Sequence, residues 1–262
     1  MDNGVYVALS GAKLQELRLQ IVANNLANAS TTGYKTDKVS SRSFDFDLEY
    51  ALSQQGDISS IRDADHVALL DDTILSYGGV YTETVEVSTD FSQGNHIYTG
   101  NQLDIALEGP GFIAVETDFG PRYTRQGIFH INSQGELVTS DGFRVRGNGL
   151  DDLGAGDVTI DTEGTVYIEG VQQGTIDIVE FDTPHVLRKE GHNLFVAKNQ
   201  GQPEKKAKAT VVKQSHLEQP NTNIISEMVN LIELNRMYET YQKTIASIDE
   251  STKKMISEIG SS

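Results

Sequence analysis

Residues 111–147 read GFIAVETDFGPRYTRQGIFHINSQGELVTSDGFRVRG. Aromatic and β-branched residues come in short runs, and each run is cut by Gly, Pro, Asp or Asn, a rhythm that suits strands and turns. Asp141-Gly142, between ELVTS (136–140) and FRVRG (143–147), is a hairpin signal, and Ser133-Gln134-Gly135 marks a longer turn. Moving outward, DVTID (157–161), TVYIE (165–169), TIDIVEFD (175–182) and NLFVAK (193–198) keep the rhythm, with a turn at Thr162-Glu163-Gly164. The pattern predicts an all-β domain over residues 95–216.

The two ends follow a different period. From Asp2 to Ala29 there is no Pro, and apolar residues recur at helical spacing: Leu14, Leu17 and Ile21, continued by Asn24 and Asn28, form one line. Val5, Leu9, Ala12, Leu19, Ala23 and Leu26 form a second, and two apolar faces on one helix imply more than one neighbour. Gly33 suits the left-handed position that closes such a helix, so residues 1–35 read as an N-terminal helix. At the other end Pro220 precedes Asn221-Thr222-Asn223, which offer side-chain caps, and Glu227 stands near the positive end of the helix dipole. Met228, Leu231, Leu234, Tyr238, Tyr241, Ile245, Ile248, Thr252, Met255 and Ile259 then recur every three or four residues, a seam long enough for a coiled coil over residues 217–262. Residues 36–94, irregular and rich in acids and Ser, are expected to form an extended arm. The fold class is mainly β with long α-helical termini.

Charge is unevenly spread. The chain of 262 residues carries a net −17, but residues 41–187 alone carry −20, while residues 1–40 carry +1, 188–216 carry +5 and 217–262 carry −3. Such acidity repels phosphate backbones and argues against nucleic acid as a partner. Without a cysteine there are no disulfides, thiolate metal sites or Cys nucleophile. Apolar runs fall far short of the ~20 residues that span a bilayer, and the first twenty residues lack the basic and apolar regions of a cleavable secretion signal.

Motifs for chemistry are missing. Gly109-Pro110-Gly111-Phe112-Ile113-Ala114 has the letters of a dinucleotide fingerprint but runs on into Val115-Glu116-Thr117, a strand and not the helix that would hold a pyrophosphate. GNGLDDLGAGD (147–157) lacks calcium-loop spacing and reads as a solvated turn. The six His residues form no metal pair, there is no G-x-S-x-G elbow, and Lys205, Lys206 and Lys208 read as a solvated loop. No catalytic, cofactor-binding or metal-ligating residue is expected.

ANNLANASTTGYK (23–35) closely resembles the N-terminal signature of bacterial flagellar rod and hook proteins, ANNLANxxTTGFK. DFSQGNHIYTGNQLDIALEGPGFIAVET (90–117), YTRQGIFHINSQGELVTSDGFRV (123–145) and LEQPNTNIISEMVNLIELNRMYE (217–239) are similar to three further family stretches, in the family's order. Ala29-Ser30 stands where the family commonly has Val-Asn, and Pro220 replaces a Ser. The opening Met-Asp-x-x-Val-Tyr and Thr89-Asp90-Phe91-Ser92-Gln93-Gly94 are more similar to the proximal-rod branch than to the distal-rod branch.

The resemblance implies a structural subunit of the basal-body rod, with a D0-like coiled-coil core of the two terminal helices and an outer, D1-like β-domain. It implies self-association, other proximal and distal rod subunits and the flagellar export apparatus as partners, and a periplasmic location reached without a cleaved signal peptide. Neither membrane insertion nor a cofactor is implied. The assembly interface would comprise Leu14, Leu17, Ile21, Asn24 and Asn28 on the N-terminal helix and Met228, Leu231, Leu234, Tyr238, Tyr241, Ile245, Ile248 and Met255 on the C-terminal helix, with Asn24 and Asn28 setting register. The competing class is a secreted β-domain acting on carbohydrate, which would need a pocket with paired carboxylates, or a binding module with a groove or aromatic patch.

Overall fold

The computed structural model describes residues 2–43, 83–154, 156–182, 186–197 and 204–260. Helix α1 spans Asp2–Ala27, short strands follow, and helix α2 spans Ile224–Gly260. The chain divides into two compact units, one of residues 1–24, 37–88 and 225–262 and one of residues 25–36 and 89–224. Most of the expected arm, residues 44–82, lies outside the described residues; the described parts of it include a two-stranded ladder of Asp37–Ser43 with Glu83–Thr89.

The second unit is built on the opening stretch. Phe112–Thr117 is the central strand of its largest sheet, whose antiparallel neighbours run Leu187–Lys189, Leu194–Ala197, Gly120–Thr124, Phe112–Thr117, Arg144–Val145, Leu137–Thr139 and Phe129–Ile131. Ile178–Glu180 pairs with the start of the same strand and with Lys205–Lys206. Period two sends Phe112 and Ala114 to one side, among Tyr123, Val179, Phe181, Leu187 and Phe195. Ile113 and Val115 go to the other, among Leu137, Val145, Val166 and Ile176. All four are at most 1% exposed, so the strand is apolar over Phe112–Val115 because both its faces are covered there. A second sheet orders Gly147–Asn148, Val171–Ile176, Thr165–Ile168 and Val158–Ile160 and closes the larger core.

Turns follow local chemistry. Gly142 (φ 87°) donates its N–H to the Thr139 carbonyl in the Asp-Gly hairpin, and Gly109 (φ 121°) makes the expected strand-to-strand turn. Two readings need correction. Gly33 takes a left-handed φ of 68°, but α1 ends at Ala27; Gly33 sits in the turn beyond, and an added Cβ would meet the Arg125 carbonyl. The 147–157 segment is not a solvated turn: Leu150 and Leu153 plug the large core, held by backbone bonds to Leu137 and Gly135.

Gly127 and Gly142 separate two kinds of glycine requirement. A Cβ on Gly127 would sit 1.6 Å from the Ile105 carbonyl oxygen, whereas one on Gly142 meets nothing within 4 Å and pays only for its positive φ. Gly142→Ala is expected to cost about 1–2 kcal/mol in denaturant unfolding, and Gly127→Ala about 3 kcal/mol, the upper end of the usual cost of overpacking.

Candidate assembly site

In α2, which contains no Pro, the expected seam is the covered face: Leu231, Leu234, Tyr238, Tyr241, Ile245, Ile248 and Thr252 are half-buried and their neighbours exposed. Met228 is 49% exposed, and the side chain of Met255 lies outside the described residues. Ile225, Val229 and Ile232 are exposed as well and occupy the opposite side of the first turns, with Met228, three residues before Leu231, at the flank of the seam. On α1, Leu14, Leu17, Ile21 and Asn28 are half-buried and Asn24 is exposed; the buried line is Ala8, Ala12, Gln15 and Asn25. Reading for apolar bulk picks out Leu and Ile and passes over small residues. Those small residues admit a partner: the Tyr241 ring lies where a Cβ on Gly11 would fall.

The strongest electrostatic feature is in the β-unit. Glu218, 1% exposed, accepts Lys35 Nζ (2.6 Å) and the Gly94 N–H (2.9 Å) on Oε1 and Arg125 (3.3 Å) on Oε2. Lys35 Nζ also donates to the Ser92 carbonyl (2.8 Å), and Arg125 to the carbonyls of Gly109 and Leu107 (2.6 and 3.5 Å) with its guanidinium 5.0 Å from the Phe112 ring centre. Burial lowers the pKa of both cations, and the Glu218 charge opposes that shift. Beside this cluster Asn221 Oδ1 accepts the Thr36 N–H (2.8 Å), and Nδ2 donates to the Asp90 carbonyl (2.7 Å) and to Ser92. The Gly33 N–H donates to the Glu218 carbonyl, and Tyr34, bonded to Asn25, lies under the Lys189 ammonium. The chain leaving α1 and the chain entering α2 are thus clasped side by side.

Family models match in three places: "Flagella basal body rod protein" at residues 5–35, "Flagellar hook protein FlgE/F/G D1 domain" at 106–168 and "Flagellar basal body rod FlgEFG protein C-terminal" at 213–258. Flagellar basal-body rod protein FlgF of Caulobacter vibrioides is 32% identical over 268 residues, covering 99% of each chain. The chain belongs to the flagellar basal-body rod protein family. Rod protein FlgG of Agrobacterium fabrum is 33% identical over 93% of this chain and 94% of its own, and FlgF of Rhizobium meliloti 28% over the whole of both.

As a rod protein the chain is a structural subunit, not an enzyme. Each of the three matched segments supplies one ion of the cluster: Lys35, Arg125 and Glu218. All three lie inside the family-like stretches 23–35, 123–145 and 217–239, where no motif marks them as a site. The available signal was a charge held inside each of three otherwise neutral cores, Gly-Tyr-Lys, Tyr-Thr-Arg and Leu-Glu. An open cleft of about 790 Å³, floored by Leu103, Ile131 and Leu153, has Asp152 as the one carboxylate on its lining, so it lacks the pair a glycosidase requires. Among the described residues no cluster is placed to hold a metal, and no helix is long and apolar enough to cross a membrane.

Removing one partner of a buried ion cluster strands the others. Glu218→Ala should cost about 3–5 kcal/mol in unfolding free energy, whereas Lys213→Ala, which removes an exposed pair with Glu108, should cost less than about 1 kcal/mol.

Proposed function

We propose that the rod protein polymerises through its terminal helices, which pair as the coiled-coil core of the subunit and present further apolar surface to neighbouring subunits. The observation that carries this reading is the two-sidedness of α2: a half-buried seam from Leu231 to Thr252 and, opposite its first turns, exposed Ile225, Val229 and Ile232. Pairing is supported by the clasp, from which both helices depart, and by the Gly11–Tyr241 approach. Gly11 and Tyr241 lie about 24–26 Å along their helices from Ala27 and Ile224, at ~1.5 Å per residue, as an antiparallel pair requires. A contact between two different patches on neighbouring copies builds an open helical filament when its rotation does not close a ring.

On this reading the predicted interface splits by role. Leu231, Leu234, Tyr238, Tyr241, Ile245 and Ile248 serve the intrachain seam, and Met228, exposed, stands at its flank. Leu14, Leu17, Ile21, Asn24 and Asn28 are candidates for contacts beyond the pair. The subunit occupies the proximal rod, as a FlgF-type member; the opening Met-Asp-x-x-Val-Tyr and the end-to-end match to Caulobacter FlgF support that position. It reaches the periplasmic rod through the flagellar export apparatus and meets other proximal and distal rod subunits there.

Replacing Leu231, Ile245 and Ile248 together by Asp is expected to abolish swimming in a strain dependent on this protein and to leave the β-unit folded by circular dichroism. Ile225→Asp with Ile232→Asp should also abolish swimming, with the monomer's helix content unchanged. Normal swimming by both variants would overturn the reading.

A further inference from the structure

The β-unit holds an aromatic ring out in water at one end of its large sheet and an apolar-floored cleft at the other. Phe119, 85% exposed, stands at the tip of the hairpin of Phe112–Thr117 with Gly120–Thr124. The tip is held in place: Thr117 Oγ1 donates to the Gly120 carbonyl (2.8 Å) and accepts the Phe119 N–H (3.3 Å), and Arg122 Nη1 donates to the carbonyls of Phe119 and Pro121 (3.1 Å each). Arg122 is fixed in turn by Glu190. Asp118, beside the ring, is exposed, and among the described residues its carboxylate has no partner. Phe112–Thr117, Arg144–Val145, Leu137–Thr139 and Phe129–Ile131 are successively antiparallel, so Phe129–Ile131 runs against Phe112–Thr117. The turn that follows it, residues 132–135, therefore leaves the sheet at the end away from Phe119, apart from the sheet's twist. That turn walls the cleft whose floor is Leu103, Ile131 and Leu153, and an added Cβ on Gly100, also on the lining, would touch the exposed Tyr98 ring at 3.8 Å. Ser133 and Gln134 are exposed there, again with no side-chain partner among the described residues.

We propose that Phe119 is an intersubunit anchor that seats in this cleft of a second copy of the chain. The inference goes beyond the reading of the terminal helices and does not depend on it; it requires only that subunits of a rod protein meet one another. The two surfaces match in three respects. An apolar ring meets an apolar floor, and an aromatic side chain in a desolvated pocket carries much of the energy of a protein contact. Asp118 brings an unused acceptor, and Ser133 and Gln134 bring unused donors. Asp152, the one carboxylate on the lining, repels Asp118, so the tip enters with Asp118 on the side of Ser133 and Gln134. Tip and cleft also face opposite strand directions, so a copy that gives its tip to one neighbour keeps its cleft open for another, a head-to-tail contact that extends an assembly. Because Thr117 and Arg122 already fix the tip, little order remains to be imposed on docking.

The cysteine-free chain allows a direct test on concentrated, purified full-length protein. Asp118→Cys with Ser133→Cys in one chain puts a disulfide in place of the tip-to-cleft hydrogen bond and should give a ladder of dimers, trimers and longer chains on oxidation. The two single variants mixed together should stop at dimers, and each alone should stay monomeric. Adding Phe119→Ala should slow crosslinking about tenfold, the loss expected for one aromatic side chain returned to water. Gly154→Trp should slow it as much by filling the cleft. Gly154 is exposed and an added Cβ there meets nothing within 4 Å, so the β-unit should keep its circular dichroism spectrum. No crosslink from the paired variant, an undiminished rate with Phe119→Ala or with folded Gly154→Trp, or a dimer from Asp118→Cys alone overturns the inference.

Discussion

A single carboxylate holds together segments that are far apart in sequence. Glu218 lies under the β-unit's surface with two cations on its oxygens, and each cation belongs to a different region: Lys35 to the segment between α1 and the strand Asp37–Ser43, Arg125 to the residue that follows the strand Gly120–Thr124. The Gly94 N–H adds the strand entry. Burying three charges is expensive, and an apolar cluster of similar volume could supply comparable stability. What ions add is directionality, since the two Glu218 oxygens accept from three specific donors. That requirement fixes which residues lie side by side where the chain leaves α1 and where it enters α2. A long ladder of local contacts could not enforce that, because Lys35 and Glu218 are 183 residues apart.

From that junction two helices of unequal length leave. Their helical character follows from composition, with no Pro in either and an Asn-rich entry to α2. On the proposed reading their pairing depends on something composition hides. Ala8, Gly11 and Ala12 contribute little hydrophobic area, and what they provide is room for a large aromatic ring to approach the α1 backbone. Close approach of this kind gains dispersion contacts and shape specificity. Bulky apolar residues are then left over on α2, at Ile225, Val229 and Ile232, and on the proposed reading they serve neighbouring subunits.

Much of this was legible in the sequence. The β-domain could be read from runs such as FIAVET, because burial on both faces leaves an unbroken apolar string, and the α2 seam could be read because Leu, Tyr and Ile at three-four spacing have no other use. The burial line of α1 could not, since two lines of larger residues masked a line of small ones. The anchoring of Leu150 and Leu153 was hidden by the Asp and Gly around them. The ion cluster was hidden for a different reason: its members are far apart in sequence, and a charge has no periodicity. Only the folded chain shows that the signatures quoted separately converge on one carboxylate.

The central claim is that the outer face of α2 contacts another rod subunit, and photo-crosslinking in intact basal bodies tests it most directly. A photoreactive residue at Ile232 should yield an adduct of two rod subunits, and the same group at Ile245, in the seam, should yield crosslinks within one chain. Adducts from Ile232 that lie only within the chain, or none at all in assembled basal bodies, would contradict the account.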